Sequence, residues 1–476
     1  MLPGQIQSPF NNLHRSYVNG KIENIVFYND IFCRWSLIDY MQKSYEIRDP
    51  VHGFIKISEW ERDIINHSAF QRLRRIKQLA WTDMVYPGAS HSRLEHSLGV
   101  MHVVSNLFDS IAERQKDFLG RLGYNSSGLD RLRSLIRLAA LLHDIGHSPF
   151  SHAGEGIFPV CIDTGQKYEH EEYSAAIVKF ELRDVIENNQ FNRTNFRITA
   201  DDVAGFFVGS PSLDCLLWRD LLTSQMDGDR MDYLLRDAYH AGVNYGKYDL
   251  NRLIATIRLI ERPETPESTG GYSLGIDEDG VHAAEGLILA RYMMFTQLYF
   301  HKTRVAYDYH LVEAIREVLM PHGGTFPQPN SREAVQEYLN WDDWRVLGAI
   351  AEGKGGEHGE ILKQRNHYRR LRETPEVPSI DDLEWIDGLL QELKILGAVR
   401  RDAGKSWYKF HQVNDEILVL KESGRRRGKS VAPLSQLSPV VKGLKSVKQS
   451  RIYIPEGNRK EAEKVAERFD KEGESV

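Results

Sequence analysis

Histidines and acidic residues gather along this chain at spacings that suit metal-assisted chemistry. His143-Asp144 closes an apolar run through Leu132, Leu135, Ile136, Leu138, Leu141 and Leu142. Two polar side chains at the end of a buried helix need a partner or a metal. His147 follows His143 at i+4, on the same face. His152, His170 and Glu171 come soon after. Upstream, Ser90-His91-Ser92-Arg93-Leu94-Glu95-His96 sets Arg93 and His96 three residues apart. Downstream, the run from Asp227 supplies carboxylates, with Asp229, Tyr233 and Asp237 along one helical face. Imidazole with carboxylate suits a divalent metal of the Fe, Mn, Zn or Ni kind. His96, His143, Asp144 and Asp229 would offer two nitrogens and two oxygens, leaving positions for water and substrate. A bound cation lowers the pKa of its water toward neutrality. Arg93, Arg230 and Lys302 can neutralise phosphate oxygens. His147, His152 and His170 can transfer protons.

Helices must position these groups. The apolar run predicts a helix from Asp130 to Asp144, buried around most of its circumference and stopped by Pro149. Phe70, Leu73, Ile76 and Leu79 recur at helical spacing. Thr199-Ala-Asp-Asp202 reads as a capping box, and another helix runs from Asp229 to His240, ending near Gly242. Asp49 to Ile57 alternates as a short strand. Glu261 to Gly271 is loop-like, with a hairpin expected around Asp277–Gly280 and then a helix through Leu287, Met293 and Leu298. Pro321, Gly323, Gly324, Pro327 and Pro329 mark a boundary. Beyond it come a capping signature at Ser379–Asp382 and strands at Trp407–Phe410, Glu416–Leu420 and Arg451–Ile454. The expected fold is mainly α. An N-terminal arm (1–45) precedes a helical core with short β-hairpins (46–320) and a smaller α+β C-terminal module for regulation or oligomerisation (321–476).

Composition narrows the classes. Hydrophobic residues make 41% and charged residues 27% of the 476, which excludes a wholly disordered or collagen-like chain. The three Cys follow no CxxC spacing, which argues against a disulfide scaffold or a thiolate zinc site. The start lacks a basic, apolar leader, and no apolar run reaches the roughly 18 residues of a membrane span. A reduced cytoplasmic setting without membrane contact is expected. The net charge of −6 gives no global attraction for nucleic acid. Locally, Arg425-Arg-Arg-Gly-Lys429, Lys442, Lys445, Lys448 and Arg451 concentrate positive charge. That patch reads either as a solvated linker or as a nucleotide or nucleic-acid contact.

Taken in order, the motifs resemble the HD-domain phosphohydrolases, and more closely their deoxynucleoside triphosphate triphosphohydrolase (dGTPase-like) branch. The resemblance rests on Asp49-Pro-Val-His-Gly53, Phe70-Gln-Arg-Leu-Arg-Arg-Ile-Lys-Gln-Leu79 and Tyr86–Gly99. It continues in His143-Asp-Ile-Gly-His-Ser-Pro-Phe-Ser-His152, His170-Glu171, Asp227–Asp237 and Tyr299-Phe-His-Lys302. It implies a mainly helical, metal-dependent enzyme that cleaves dNTPs to deoxynucleoside and inorganic triphosphate. It implies His96, His143, Asp144 and Asp229 as ligands of a divalent ion (Mg, Mn, Fe, Ni or Zn). His147, His152 and His170 become the active-site histidines, with His152 as general acid. Arg93 and Arg230 fall where the family contacts the triphosphate. Tyr233, Asp237 and Gln78 match sugar contacts, Tyr299 and Leu79 match a wall crowding a ribose 2′-hydroxyl, and Arg291 matches a further substrate contact. The residues alone leave Tyr299 open as plain core and Gln78 as a solvated helix residue. In the family the neighbourhood of Lys302 faces a regulatory nucleotide, so the resemblance implies a place for Lys302 outside the catalytic pocket.

The implied partners are a dNTP, an activating nucleotide and further copies of the chain, as a dimer or tetramer. Asn66 stands where regulated members carry an acid that reads guanine, and Tyr45 where a basic residue is expected, while Gln71 and Arg74 are kept. Two other readings share the metal set: an HD phosphodiesterase or nuclease acting on oligonucleotides or cyclic nucleotides, and a catalytically silent nucleotide sensor.

Overall fold

A computed structural model describes residues 43–209, 213–262, 271–405, 408, 416–422 and 429–473. The expected arm up to residue 42, the strand at Trp407–Phe410 apart from Tyr408, and Arg425–Gly428 of the basic run lie outside the described residues. The alternating segment at Asp49–Ile57 is not one strand. It belongs to a hairpin of β1 (Ser44–Asp49) and β2 (Gly53–Ser58), because Asp49 Oδ1 accepts the N–H groups of Val51 and His52 at 2.9 and 2.8 Å and turns the chain.

Helices dominate the chain after this hairpin. Phe70, Leu73 and Ile76 are fully buried, as their spacing requires, but on a one-turn helix (Ser68–Gln71) and a 3₁₀ turn (Arg72–Arg75), not a continuous helix. Arg72 is the cause. It is buried and spends its donors on the carbonyls of Trp341, Ile145 and His147. Two long helices, α1 (Arg93–Arg114) and α2 (Ser126–Leu142), pack together at the centre. Helix α2 ends at Leu142, well before Pro149. There the His143 ring donates to Ala140 O at 2.8 Å, and Ser174 Oγ donates to His143 O at 2.7 Å. Side chains thus take over the last carbonyls and turn His143-Asp144 inward.

Helix α3 (His170–Phe180) docks on this turn, and Gly146 permits the approach. A Cβ there would lie 2.3 Å from His170 O. Helix α4 (Gly228–Ala241) starts at an Asp227 cap and ends at Gly242 with φ of 71°, close to the predicted bounds. The capping boxes at Thr199–Asp202 and Ser379–Asp382 are formed. The predicted turn at Asp277–Gly280 is not a hairpin loop. The pairing strands are β3 (Ile257–Glu261) and β4 (Tyr272–Asp277), so the loop-like stretch at 261–271 connects them. Residues Glu278–Gly280 make a 3₁₀ turn into α5 (Val281–Met294). A single π-helical turn, Phe295–Tyr299, then leads to α6 (Lys302–Leu319). Such turns recur at functional sites.

The C-terminal third packs back on this core. Helices α7 (Asp343–Ala351) and α8 (Gly356–Gln364) lie on α6. Strand β5 (Arg369–Glu373), helix α9 (Ile380–Leu393) and strand β6 (Val399–Lys405) come next. Strands β7 (Leu418–Glu422) and β8 (Lys429–Pro433) extend the β3–β4 hairpin into a sheet of order β3-β4-β7-β8. Strand β9 (Val447–Ile454) sits between β5 and β6, and helix α10 (Arg459–Gly473) closes the described chain. Leu371, Ile386, Leu389, Ile452, Ile454 and Ala462 form the core under α9 and α10. The fold is mainly α, with three small sheets among the described residues. Arg451 does not belong to a surface patch: it is buried, bonded to Glu373 and to the Phe300 carbonyl. No helix among the described residues is long and apolar enough to cross a membrane.

Candidate active site

The turn after α2, the start of α1 and the start of α4 meet at one point. His96 Nε2 lies 3.3 Å from Asp144 Oδ2 and 3.0 Å from Asp229 Oδ1. His143 Nε2 lies 3.2 Å from Asp144 Oδ1 and 3.8 Å from Asp229 Oδ1. The other nitrogen of each ring is fixed. His96 Nδ1 faces Asp232 Oδ2 at 2.8 Å, and His143 Nδ1 faces Ala140 O at 2.8 Å. Carboxylate and carbonyl oxygens only accept, so both Nδ1 atoms carry hydrogen, and in the neutral rings both Nε2 atoms offer lone pairs. Those Nε2 atoms are buried with no hydrogen-bond partner among the described residues. Two lone pairs facing carboxylate oxygens repel unless a positive charge sits between them, so this donor set fits a divalent cation. Without one the carboxylates draw a proton: burial opposes it, but Asp229, Asp232 and Asp144 raise His96 to about 10. A cation must displace that proton.

Asp49, His52 and Asp232 all lie in the strings quoted from the sequence, but those strings assign no role to the network that Asp232 builds. Its oxygens also accept from His52 at 2.6 Å and from Arg236 at 2.8 and 2.9 Å, and Arg236 continues to Asp49 at 2.7 Å. Asp232 and Arg236 are wholly buried. Gly99 makes room for them, since a Cβ would lie 1.9 Å from Asp232 Oδ1.

A second cluster borders the first. His147 and His170 stack with ring centres 3.9 Å apart, and His152 stands edge-on to both. Glu155 joins them. It lies 2.8 Å from His147 Nδ1, 3.1 Å from His170 Nδ1 and 3.1 Å from His152 Nδ1. Glu155 is absent from the sequence-derived set, although it stands at i+3 from His152. Burial works against ionisation of Glu155, yet the three imidazoles hold it far below the usual carboxylate range. Burial likewise opposes a charge on His170, but Glu155 raises it to about 9. His147 goes the other way: burial, then Arg93 and His170, lower it to about 3. The pair is therefore one neutral ring and one cationic ring. The His152 side chain is 64% exposed at the mouth.

Both clusters open into a cavity of about 520 Å³. Gln78, Leu79, Arg93, Asp229, Arg230, Tyr233, Asp237, Arg291 and Tyr299 line it, with His143, Asp144, His147, His152 and His170. His96 lies just beneath, fully buried. Lys302 is not in this cavity; it lines a separate one of about 230 Å³ with Thr303, His367, Arg369, Arg370 and Arg459. Tyr299 is not merely core. Its hydroxyl donates to Asp237 Oδ2 at 2.7 Å, and Asp237 Oδ1 is held by His91 at 2.8 Å. Gln78 is buried, not solvated. Arg93 bridges Asp144 and Ser151, and Arg230 bonds Asp227 and the Ser224 carbonyl. Phe206, Phe207, Leu222, Phe295 and Phe300 give the cavity an apolar wall.

Residues 93–198 match the HD domain, and residues 248–379 match the HD associated region. The uncharacterized protein MJ1154 of Methanocaldococcus jannaschii is 30% identical over 87% of this chain and 80% of its own length. The uncharacterized protein YwfO of Bacillus subtilis is 38% identical over 53% of this chain, which spans about half (51%) of that relative. The Gallus gallus deoxynucleoside triphosphate triphosphohydrolase SAMHD1 is 33% identical over 45% of this chain and 36% of its own. A crystal structure of a hypothetical protein from Aquifex aeolicus superposes with a TM-score of 0.69 at 27% identity, covering 89% of this chain and 99% of that one. The chain belongs to the HD-domain phosphohydrolase family.

Proposed function

We propose that this protein is a metal-dependent deoxynucleoside triphosphate triphosphohydrolase. The observation that carries this reading is the pairing of two locked, partnerless imidazole lone pairs with two carboxylates, at the floor of a nucleotide-sized cavity. His96, His143, Asp144 and Asp229 would hold the ion. When bound, a divalent cation lowers the pKa of a water and polarises a phosphoryl oxygen.

The rest falls to side chains. Water attacks the α-phosphorus, and the bond from phosphorus to the 5′-oxygen breaks. His152 protonates that oxygen, its Nδ1 held 3.1 Å from Glu155. Deoxynucleoside and inorganic triphosphate leave. Arg93, Arg230 and cationic His170 offset charge growing on the phosphate oxygens, while neutral His147 packs beneath. Asp237, held between His91 and Tyr299, accepts the 3′-hydroxyl, with Gln78 beside it. Tyr299 and Leu79 crowd C2′ and reject a ribose, while Tyr233 and Arg291 complete the sugar and phosphate contacts. The apolar wall receives the base.

The Lys302 cavity, rich in Arg and Lys, supports a separate site for an activating nucleotide. Gln71 and Arg74 bond each other at 2.8 Å, but Asn66 and Tyr45 depart from the guanine-reading pattern, so guanine selection by that region is not part of this reading. A cytoplasmic homo-oligomer, dimer or tetramer, completes it. The test is to incubate the protein with Mg²⁺ or Mn²⁺ and each dNTP, with and without a second nucleotide. Release of intact triphosphate is expected. Cleavage of single-stranded DNA or RNA instead would favour the phosphodiesterase or nuclease reading.

A further inference from the structure

We propose that Asp343, on helix α7 and outside the catalytic cavity, is a positioning residue that fixes the two loops bearing Leu79 and His152 relative to each other. The inference rests on the triphosphohydrolase reading for its activity readout, though not for its geometry. Asp343 is 1% exposed. Its Oδ1 accepts the Phe150 N–H at 2.7 Å and its Oδ2 accepts the Lys77 N–H at 2.8 Å. One carboxylate thus ties together two segments that lie far apart in the chain. Lys77 directly precedes Gln78 and Leu79; Phe150 precedes Ser151 and His152.

The tie falls where the backbone needs it. Phe150 and Ser151 both have left-handed φ, 60° and 58°. Residues with a Cβ hold that conformation only where neighbours over-determine it. Ser151 adds a second stitch between the same loops. Its Oγ donates to Lys77 O at 2.6 Å and accepts from Arg93 Nε at 2.8 Å. The segment that delivers Asp343 is itself anchored, through Arg72 to Trp341 O and Arg75 to Asp342. A residue from the HD associated region therefore sets the separation between the sugar wall and the histidine at the cavity mouth.

The test is Asp343→Asn, with Asp342→Asn as the control for docking of α7. An amide oxygen can keep one of the two N–H bonds, and the amide nitrogen cannot accept the other. In hydrogen exchange read by mass spectrometry, peptides containing Lys77 or Phe150 are expected to exchange at least about tenfold faster in Asp343→Asn. In turnover, the ratio of ribonucleoside to deoxyribonucleoside triphosphate use is expected to rise roughly tenfold as the Leu79 wall retreats. That ratio does not depend on the fraction folded, and metal content is expected to stay at the wild-type level. Unchanged exchange at both peptides overturns the proposal. So does an unchanged substrate ratio in an active enzyme, or a ratio moved equally by Asp342→Asn. Faster exchange in a chain whose wild type turns over no dNTP supports the tie and refutes the triphosphohydrolase reading instead.

Discussion

Two groups of histidines among the described residues meet different partners. In the catalytic cavity each one meets a carboxylate: His96 meets Asp232, Asp144 and Asp229, and His170 meets Glu155. Where α6, α8 and β5 meet, the partners are different. His310 Nδ1 lies 2.8 Å from His358 Nδ1, His310 Nε2 accepts the Tyr368 N–H at 3.1 Å, and His367 packs tilted against Tyr307. No carboxylate among the described residues bonds His310, so burial followed by its histidine neighbours lowers it to about 3. Carboxylates raise His96 to about 10 despite its complete burial. Burial alone therefore does not mark a functional histidine. The carboxylate partner and the unclaimed nitrogen do.

Changes in the two regions should part cleanly. Asp229→Ala should remove the ion and lower triphosphate release by about 10⁴ or more. A Lewis acid supplies several kcal/mol, and each ~1.4 kcal/mol is tenfold. Metal analysis beside a phosphate assay checks this; full activity would show the ligand set to be wrong. His152→Ala should cost about a hundredfold to a few thousandfold in kcat, with metal content unchanged. Asp232→Asn leaves His96 in place but loosens its orientation. Metal affinity, read by chelator competition, should fall about 10- to 100-fold.

The smallest effect belongs to the other region. His310 ionises near 6.5 when unfolded but only near 3 when folded, so acid favours the unfolded chain. Its contribution to stability is complete above pH 6.5 and is lost as pH falls toward 3. His310→Gln cannot titrate. The drop in thermal midpoint between about pH 7 and about pH 4.5 should shrink, while activity at neutral pH stays near wild type. A large loss of activity there would erase the distinction between the regions.

The candidate ligands were legible as a group because they lie in short strings whose local spacing carries over into the fold: His143-Asp144 at a helix end, His96 three residues after Arg93, Asp229 at a helix start. Glu155 had a local signal too, three residues after His152, but its meaning depends on two other histidines brought near by the turn. Asp232 had only its place in the Asp227–Asp237 run, with nothing to mark its role, and Asp343 had no local signal. Their partners His96 and Lys77 lie 136 and 266 residues away in sequence, and a buried Asp reads like a solvated one until those partners are placed. The misread elements fail for the same reason. The Phe70–Leu79 stripe is apolar at helical spacing, yet the buried Arg72 demands distant carbonyls and tightens the turn. At Asp277–Gly280 the turn residues are present, but strand pairing puts the hairpin loop earlier.

In the proposed reaction the α-phosphorus is attacked and the 5′-oxygen leaves on the nucleoside. Turnover of each dNTP in ¹⁸O-labelled water, with products resolved by mass spectrometry, addresses it most directly. One ¹⁸O in the inorganic triphosphate and none in the deoxynucleoside is the expected result. Label in the deoxynucleoside, or release of pyrophosphate with a labelled monophosphate, would contradict it.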